Sequence, residues 1–243
     1  MRIISRLDVK ENFLIKGIQL EGWRKYGDPV EEAKKQYING IDEIFVVDVV
    51  ASLYGRNNSF SLLEKIAKNI FIPITLSGGI RTLDDVSNAF WNGADKIGIN
   101  SGATSNSNII SKIAKRYGSQ AVVVNIEVKK KNNEWLVLIE NGRTHTEKDL
   151  ISWIKEIQEK GAGEIYITSI DKDGTLNGPD FELINYVKNI IEIPVVYGGG
   201  IRNQEDISEL EKYNFLSGVT ISSGLYKLNN TAEYFRQVTI NEN

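Results

Sequence analysis

Eight short runs of apolar and β-branched residues punctuate the chain, near residues 2–8, 43–49, 72–77, 95–100, 121–127, 164–170, 193–198 and 217–222. Between most of them apolar positions recur at helical spacing, as in Leu62, Leu63, Ile66, Ala67 and Ile70, or Leu150, Trp153, Ile154 and Ile157. Near-continuous apolar strands alternating with amphipathic helices predict a parallel sheet covered by helices. The pattern also repeats. Gly78-Gly79-Ile80-Arg81 returns as Gly199-Gly200-Ile201-Arg202, an offset of 121, half the chain. An open doubly wound sheet is the alternative, but a half-chain duplication favours a closed ring of two equivalent halves. The expectation is therefore an α/β protein, a (β/α)8 TIM barrel filling residues 1–243 as one domain, with half-barrels near 1–120 and 121–243.

Composition narrows the class. A length of 243 residues suits such a barrel, and 41% hydrophobic with 25% charged residues is ordinary for a soluble globular protein. A formal charge of −3 leaves no basic footprint for nucleic acid. No apolar run approaches the roughly 20 residues that span a bilayer, and the start, MRIISRLDV, lacks a signal peptide's pattern. Without cysteine there are no disulfides or thiolate metal sites, which suits a cytoplasmic protein. His145 is the single histidine, so acid–base chemistry must rest on carboxylates, Lys or Tyr, and no metal or organic cofactor is expected.

Two βα connections are long, Lys10 to Asp28 and Val128 to about Thr146, and they are equivalent under the repeat. Long loops in compact domains are often lids, and barrel chemistry lies at this end of the strands. Lys129-Lys130-Lys131 beside Asn132-Asn133 reads as a solvated hairpin tip. Asp8 closes the first strand and Glu127, 119 residues later, the fifth, so the repeat opposes two carboxylates across one mouth. Such a pair suits acid–base work on a two-armed substrate. The competing reading is that each caps a loop or pairs with a local lysine. Gly78 and Gly79 with Asn100 and Ser101 form one candidate phosphate cluster, and Gly199 and Gly200 with Ser222 and Ser223 its counterpart. Two matched clusters imply a ligand with a phosphate at each end.

Blocks along nearly the whole chain form one further pattern: Leu7-Asp8-Val9-Lys10, Lys16-Gly17, Gly27-Asp28-Pro29, Asp48 to Ser52, Gly93-Ala94-Asp95-Lys96, and above all Gly161 to Ile165 and Thr168 to Thr175. On these residues the chain resembles the family of cyclase subunits of imidazole glycerol phosphate synthase. The resemblance implies a lyase–cyclase reaction of histidine biosynthesis. Ammonia, from a glutaminase subunit and through the barrel axis, would convert a bis-phosphorylated formimino ribotide into imidazole glycerol phosphate and an aminoimidazole carboxamide ribotide. It implies acid–base roles for Asp8 and Glu127, substrate contacts from Lys16, Asp48, Asp173 and Thr175, and a phosphate contact at Gly174. It also implies a ring of Arg2, Glu43, Lys96 and Glu164 guarding ammonia entry, for which a structural ion-pair network is the plain alternative.

Several positions depart from the family's pattern. Glu127 stands where aspartate is usual, and one methylene moves a carboxylate by about 1.5 Å. Arg6 replaces a small residue two positions from Asp8, Tyr197-Gly198 replace a small residue and serine, and Ile201-Arg202 replace Ala-Gly. These changes cluster at the mouth. They leave open a paralogue that sends ammonia into another amidination, such as that of a surface sugar, and a non-catalytic glutaminase scaffold. Intact Asp8 and Lys16 argue against the scaffold.

Overall fold

A computed structural model describes residues 1–55, 60–226 and 228–236; the last seven positions of the expected domain lie outside the described residues. The eight parallel strands are β1 (Arg2–Lys10), β2 (Glu43–Asp48), β3 (Ile74–Ser77), β4 (Lys96–Ile99), β5 (Val122–Lys131), β6 (Glu164–Ser169), β7 (Val195–Gly198) and β8 (Leu216–Ile221). Each pairs with its neighbours in chain order. β8 returns to β1, with Arg2 opposite Gly218, and β5 pairs β6, with Glu127 opposite Thr168. The sheet is closed, so the open doubly wound alternative does not apply.

Alternation along each strand builds two cores. Ile3, Leu7 and Val9 of β1 face outward into the large core shared with the helices. Ile4 points inward and meets Phe45, Val123, Tyr166 and Val196, an apolar layer across the barrel. The helices repeat as the strands do. Thr82 caps Leu83–Trp91 and Asn203 caps Gln204–Leu210, while Asp85 and Asp206 accept the backbone N–H groups of Arg81 and Arg202 at 3.0 and 2.8 Å. Arg202 closes its side chain onto the same Asp206, so it turns away from the mouth.

The long connections are both hairpins, which polar sequence did not reveal for the first. Phe13–Ile18 runs antiparallel to the end of β1 and to Glu21–Gly27; Glu134–Ile139 does the same with β5 and Thr144–Asp149. β5 thus runs four residues beyond its expected end, through the lysine run, and turns at Asn132-Asn133, both at positive φ. Lys130 pairs with Glu182 and lies 5.3 Å from the Trp135 ring centre, so the run is only partly a solvated tip. The two hairpins meet above the mouth. Gln19-Leu20 and Glu140-Asn141, 121 positions apart, share the same left-handed turn, and Asn141 Nδ2 donates to the Leu20 carbonyl at 3.1 Å.

Candidate active site

The ends of β2 to β5 form a cavity lined by Asp48, Gly78, Gly79, Asn100, Ser101 and Glu127, together with Ser52, Asn125, Glu140 and Asn141. Its counterpart lies at β6 to β8 and is lined by Lys16, Asp173, Gly174, Gly199, Gly200, Ser222 and Ser223. Gly78 has φ 95°, and a side chain there would meet the Asp48 carbonyl at 2.3 Å. So close an approach of backbone to backbone leaves room for glycine alone. In the second cavity the buried Ser223 hydroxyl finds no partner within the protein, nor does Asn125 Oδ1 in the first. Both are free for a ligand.

Asp8 lines neither cavity. It is 5% exposed and lies beneath Lys16, which is 3% exposed. Lys16 Nζ donates to Asp8 Oδ2 and to both Asp173 oxygens, each at 3.0 Å, and so fastens the first hairpin over the mouth. Arg6 does point into the barrel, and its Nε donates to Asp8 Oδ1 at 2.6 Å. Burial alone would raise the Asp8 carboxyl; Arg6 and Lys16 outweigh it and hold Asp8 below the usual aspartate range. Lys16 is likewise held above its ordinary value, because Asp173 and Asp8 outweigh its burial.

Glu127 accepts the Gly142 N–H at 2.7 Å and faces the first cavity. Burial pushes its carboxyl up to about 7, against that hydrogen bond and the Arg6 charge. The two carboxylates of the mouth are therefore chemically unlike. Asp48 spends one oxygen on the turn that follows it, accepting from Val50 and Ala51. Thr175 does not reach either cavity; its hydroxyl donates to the Lys172 carbonyl inside its own turn. Tyr197 does not alter the mouth directly, since its ring packs in the outer core. Its hydroxyl accepts from Asp180 N at 2.7 Å and donates to the Gly199 carbonyl at 3.0 Å, anchoring the glycine loop. Asn125 and Asn141 were missed; the first lies two residues before Glu127 on the inward face, and the second is repeat-equivalent to Leu20.

At the opposite end, Arg2, Glu43, Lys96 and Glu164 close into an alternating ring. Arg2 bridges both glutamates, and Lys96 does the same at 2.8 and 3.1 Å. Thr75 and Ser217 complete the hydrogen bonding of the glutamates.

Comparison with known proteins decides the family. A family model described as "Histidine biosynthesis protein" matches residues 2–231. The chain belongs to this family. It is 47% identical over 209 residues to a Legionella pneumophila protein named imidazole glycerol phosphate synthase subunit HisF, covering 86% of this chain and 99% of that one. Relatives of the same name from Sulfurisphaera tokodaii and Saccharolobus solfataricus are 41% and 40% identical over 93% and 97% of this chain, and 89% and 96% of their own. Among the described residues of this family member, no helix is long and apolar enough to cross a membrane.

Proposed function

We propose that this chain is the cyclase subunit of an imidazole glycerol phosphate synthase. Using ammonia, it converts the phosphoribulosyl formimino aminoimidazole carboxamide ribotide into imidazole glycerol phosphate and aminoimidazole carboxamide ribotide. The observation that carries this reading is the pair of matched cavities, related by the half-chain repeat, on either side of the buried Asp8 and the half-buried Glu127. A ligand with one phosphate at each end fits that plan, and its reacting centre then lies between the cavities, beside Asp8 and Glu127. None of the three named relatives points toward the alternative amidination.

The phosphates are held by the Gly78-Gly79 and Gly199-Gly200 turns with Asn100, Ser101, Ser222 and Ser223, and Gly174 contributes backbone to the second site. Lys16, Asp48 and Asp173 contact the substrate between them. Thr175 supports this site through its turn. Asp8 and Glu127 carry the charge and proton changes of ammonia addition and ring closure.

A glutaminase subunit docks at the opposite face and supplies the ammonia. Support comes from the charged ring and from three large apolar side chains at the helix–strand junctions of that face: Ile38, Phe71 and Trp91 are 80%, 84% and 90% exposed. Neutral ammonia crosses the apolar layer of Phe45 and Tyr166 at far lower cost than an ammonium ion.

The test is turnover of the formimino ribotide by the isolated chain in concentrated ammonium salt. Turnover that Asp8→Asn abolishes is the expected result. Folded protein that binds a bis-phosphate analogue yet consumes no substrate refutes the cyclase reading.

A further inference from the structure

We propose that Arg6 is a positioning residue that locks Asp8 as a permanent anion beneath Lys16, leaving Glu127 as the carboxyl that exchanges protons with the substrate. This assignment rests on the cyclase reading above and divides the work between its two acids.

The arrangement is built by four strands. Arg6 and Asp8, two apart on β1, share the inward face. Arg6 is 3% exposed; its Nε reaches Asp8 at 2.6 Å and its Nη1 donates to the Tyr166 hydroxyl at 2.9 Å. That hydroxyl shares a hydrogen bond with Thr220 Oγ1 at 3.0 Å. The network fits because β7 presents Gly198. A side-chain carbon there would stand 2.6 Å from Thr220 Oγ1 and 2.7 Å from the Tyr166 oxygen. Two departures from the family's pattern, Arg6 and Gly198, thus belong to one construction.

The half-chain repeat then supplies its own control. Positions equivalent to Asp8 and Arg6, 119 residues on, are Glu127 and Asn125, and the hairpin strand beside Glu127, Glu134–Ile139, carries no cation where the first hairpin has Lys16. Asn125 donates to Ser77 Oγ at 2.8 Å, and Val137 in that strand is buried and apolar. Glu127 therefore has no bonded cation corresponding to the two that hold Asp8. The groups facing Glu127 are Arg6 and Asp8 from β1, Asp48 at the end of β2, Asn100 after β4, and Glu140 and the Gly142 N–H from the hairpin; Lys16 and Asp173 lie beyond Asp8. Arg6 is bonded to Asp8, and its pull on Glu127 falls short of the cost of burying the Glu127 charge. Protonating Asp8 would sacrifice charge-assisted bonds on both of its oxygens, whereas protonating Glu127 relieves a buried charge.

In the reaction, the ammonia lone pair forms the bond to the ribulosyl carbonyl carbon and the carbonyl π pair moves to oxygen. That oxygen takes the proton of neutral Glu127. The nitrogen, now cationic, returns one proton to the Glu127 carboxylate, giving a neutral carbinolamine and restoring the acid. The fixed charge of Asp8 stabilises the nitrogen cation while it exists.

The deciding experiment is a carbon-13 NMR titration of side-chain carboxyls in the intact protein from about pH 4 to about pH 9, with resonances assigned by Asp8→Asn and Glu127→Gln. Glu127 is expected to titrate near 7 and Asp8 to stay ionised throughout, while in Arg6→Gln the Asp8 midpoint moves up. Should Arg6→Gln fail to fold, Tyr166→Phe removes the second anchor of the guanidinium and is expected to move Asp8 in the same direction. An Asp8 carboxyl that titrates inside that window in the unmodified protein, or a Glu127 that stays ionised, overturns the proposal. Ammonium-dependent turnover, measured at constant free ammonia, is expected to show a limb near pH 7 that Glu127→Gln removes, with a rate lower on the order of 100-fold. Titrations as expected without turnover sink the cyclase reading and leave the charge assignment standing; turnover with a titrating Asp8 does the reverse.

Discussion

Replacing Glu127 by Gln exchanges a carboxyl that resists ionisation for a neutral group of nearly the same shape. In the folded protein Glu127 ionises at about 7, because burial penalises its charge, against an ordinary 4.5. The folded state therefore holds the proton more tightly than the unfolded chain. The stability this group contributes is full below about pH 4.5 and is lost as pH rises to and through about 7. At about 1.4 kcal/mol per tenfold change in proton affinity, the complete loss is about 3 kcal/mol. It is about 1 kcal/mol at pH 5 and close to complete at pH 8. The Glu127→Gln protein carries no such term, and the remaining titrating groups cancel between the two proteins. Urea unfolding at about pH 5 and about pH 8 should find the variant more stable at both, with a margin about 2.5 kcal/mol larger at the higher pH. By heat, that difference is roughly 5–10 °C in Tm for a chain of this size. A margin that does not change with pH refutes the reasoning, since it would mean that Glu127 is not held against ionisation.

Other perturbations probe other layers of the molecule. Gly198→Ala forces a methyl against Thr220 and the Tyr166 hydroxyl and should cost about 1–3 kcal/mol in denaturant unfolding; no loss would mean that the polar network has room to spare. Lys16→Met leaves Asp173 without the cation bonded to both its oxygens, so backbone amides of residues 13–27 should exchange faster while the β-strands of the barrel keep their protection. Equal protection in both proteins would show that the hairpin is held by its other contacts. Lys96→Met opens the floor ring, and glutamine-dependent turnover with the glutaminase present should fall at least about tenfold while ammonium-dependent turnover holds. Parallel loss of both would make the ring a structural ion-pair network.

The barrel and most of its mouth were legible along the chain. Strands buried on both faces must be apolar almost throughout, so all eight runs were visible as continuous stretches. The repeat then paired the glycine turns and the two acids, because duplicated strand–loop–helix units place equivalent residues at equivalent ends. The first hairpin stayed hidden. Glu21–Gly27 is mostly exposed on both faces, and nothing in its composition marks a strand that is held from one edge by Phe13–Ile18. Period-two alternation placed Arg6 inward with Asp8, yet which groups it meets there was not written near it. Tyr166, Gly198 and Thr220 lie 160 or more residues away and arrive only when the sheet closes. The same closure separated the acids. Two carboxylates at equivalent positions look interchangeable along the chain, but a carboxyl's proton affinity is fixed by the charges and burial around it. Tertiary structure bonded Arg6 and Lys16 to Asp8 and gave Glu127 the Gly142 N–H, with burial outweighing that bond and the Arg6 charge.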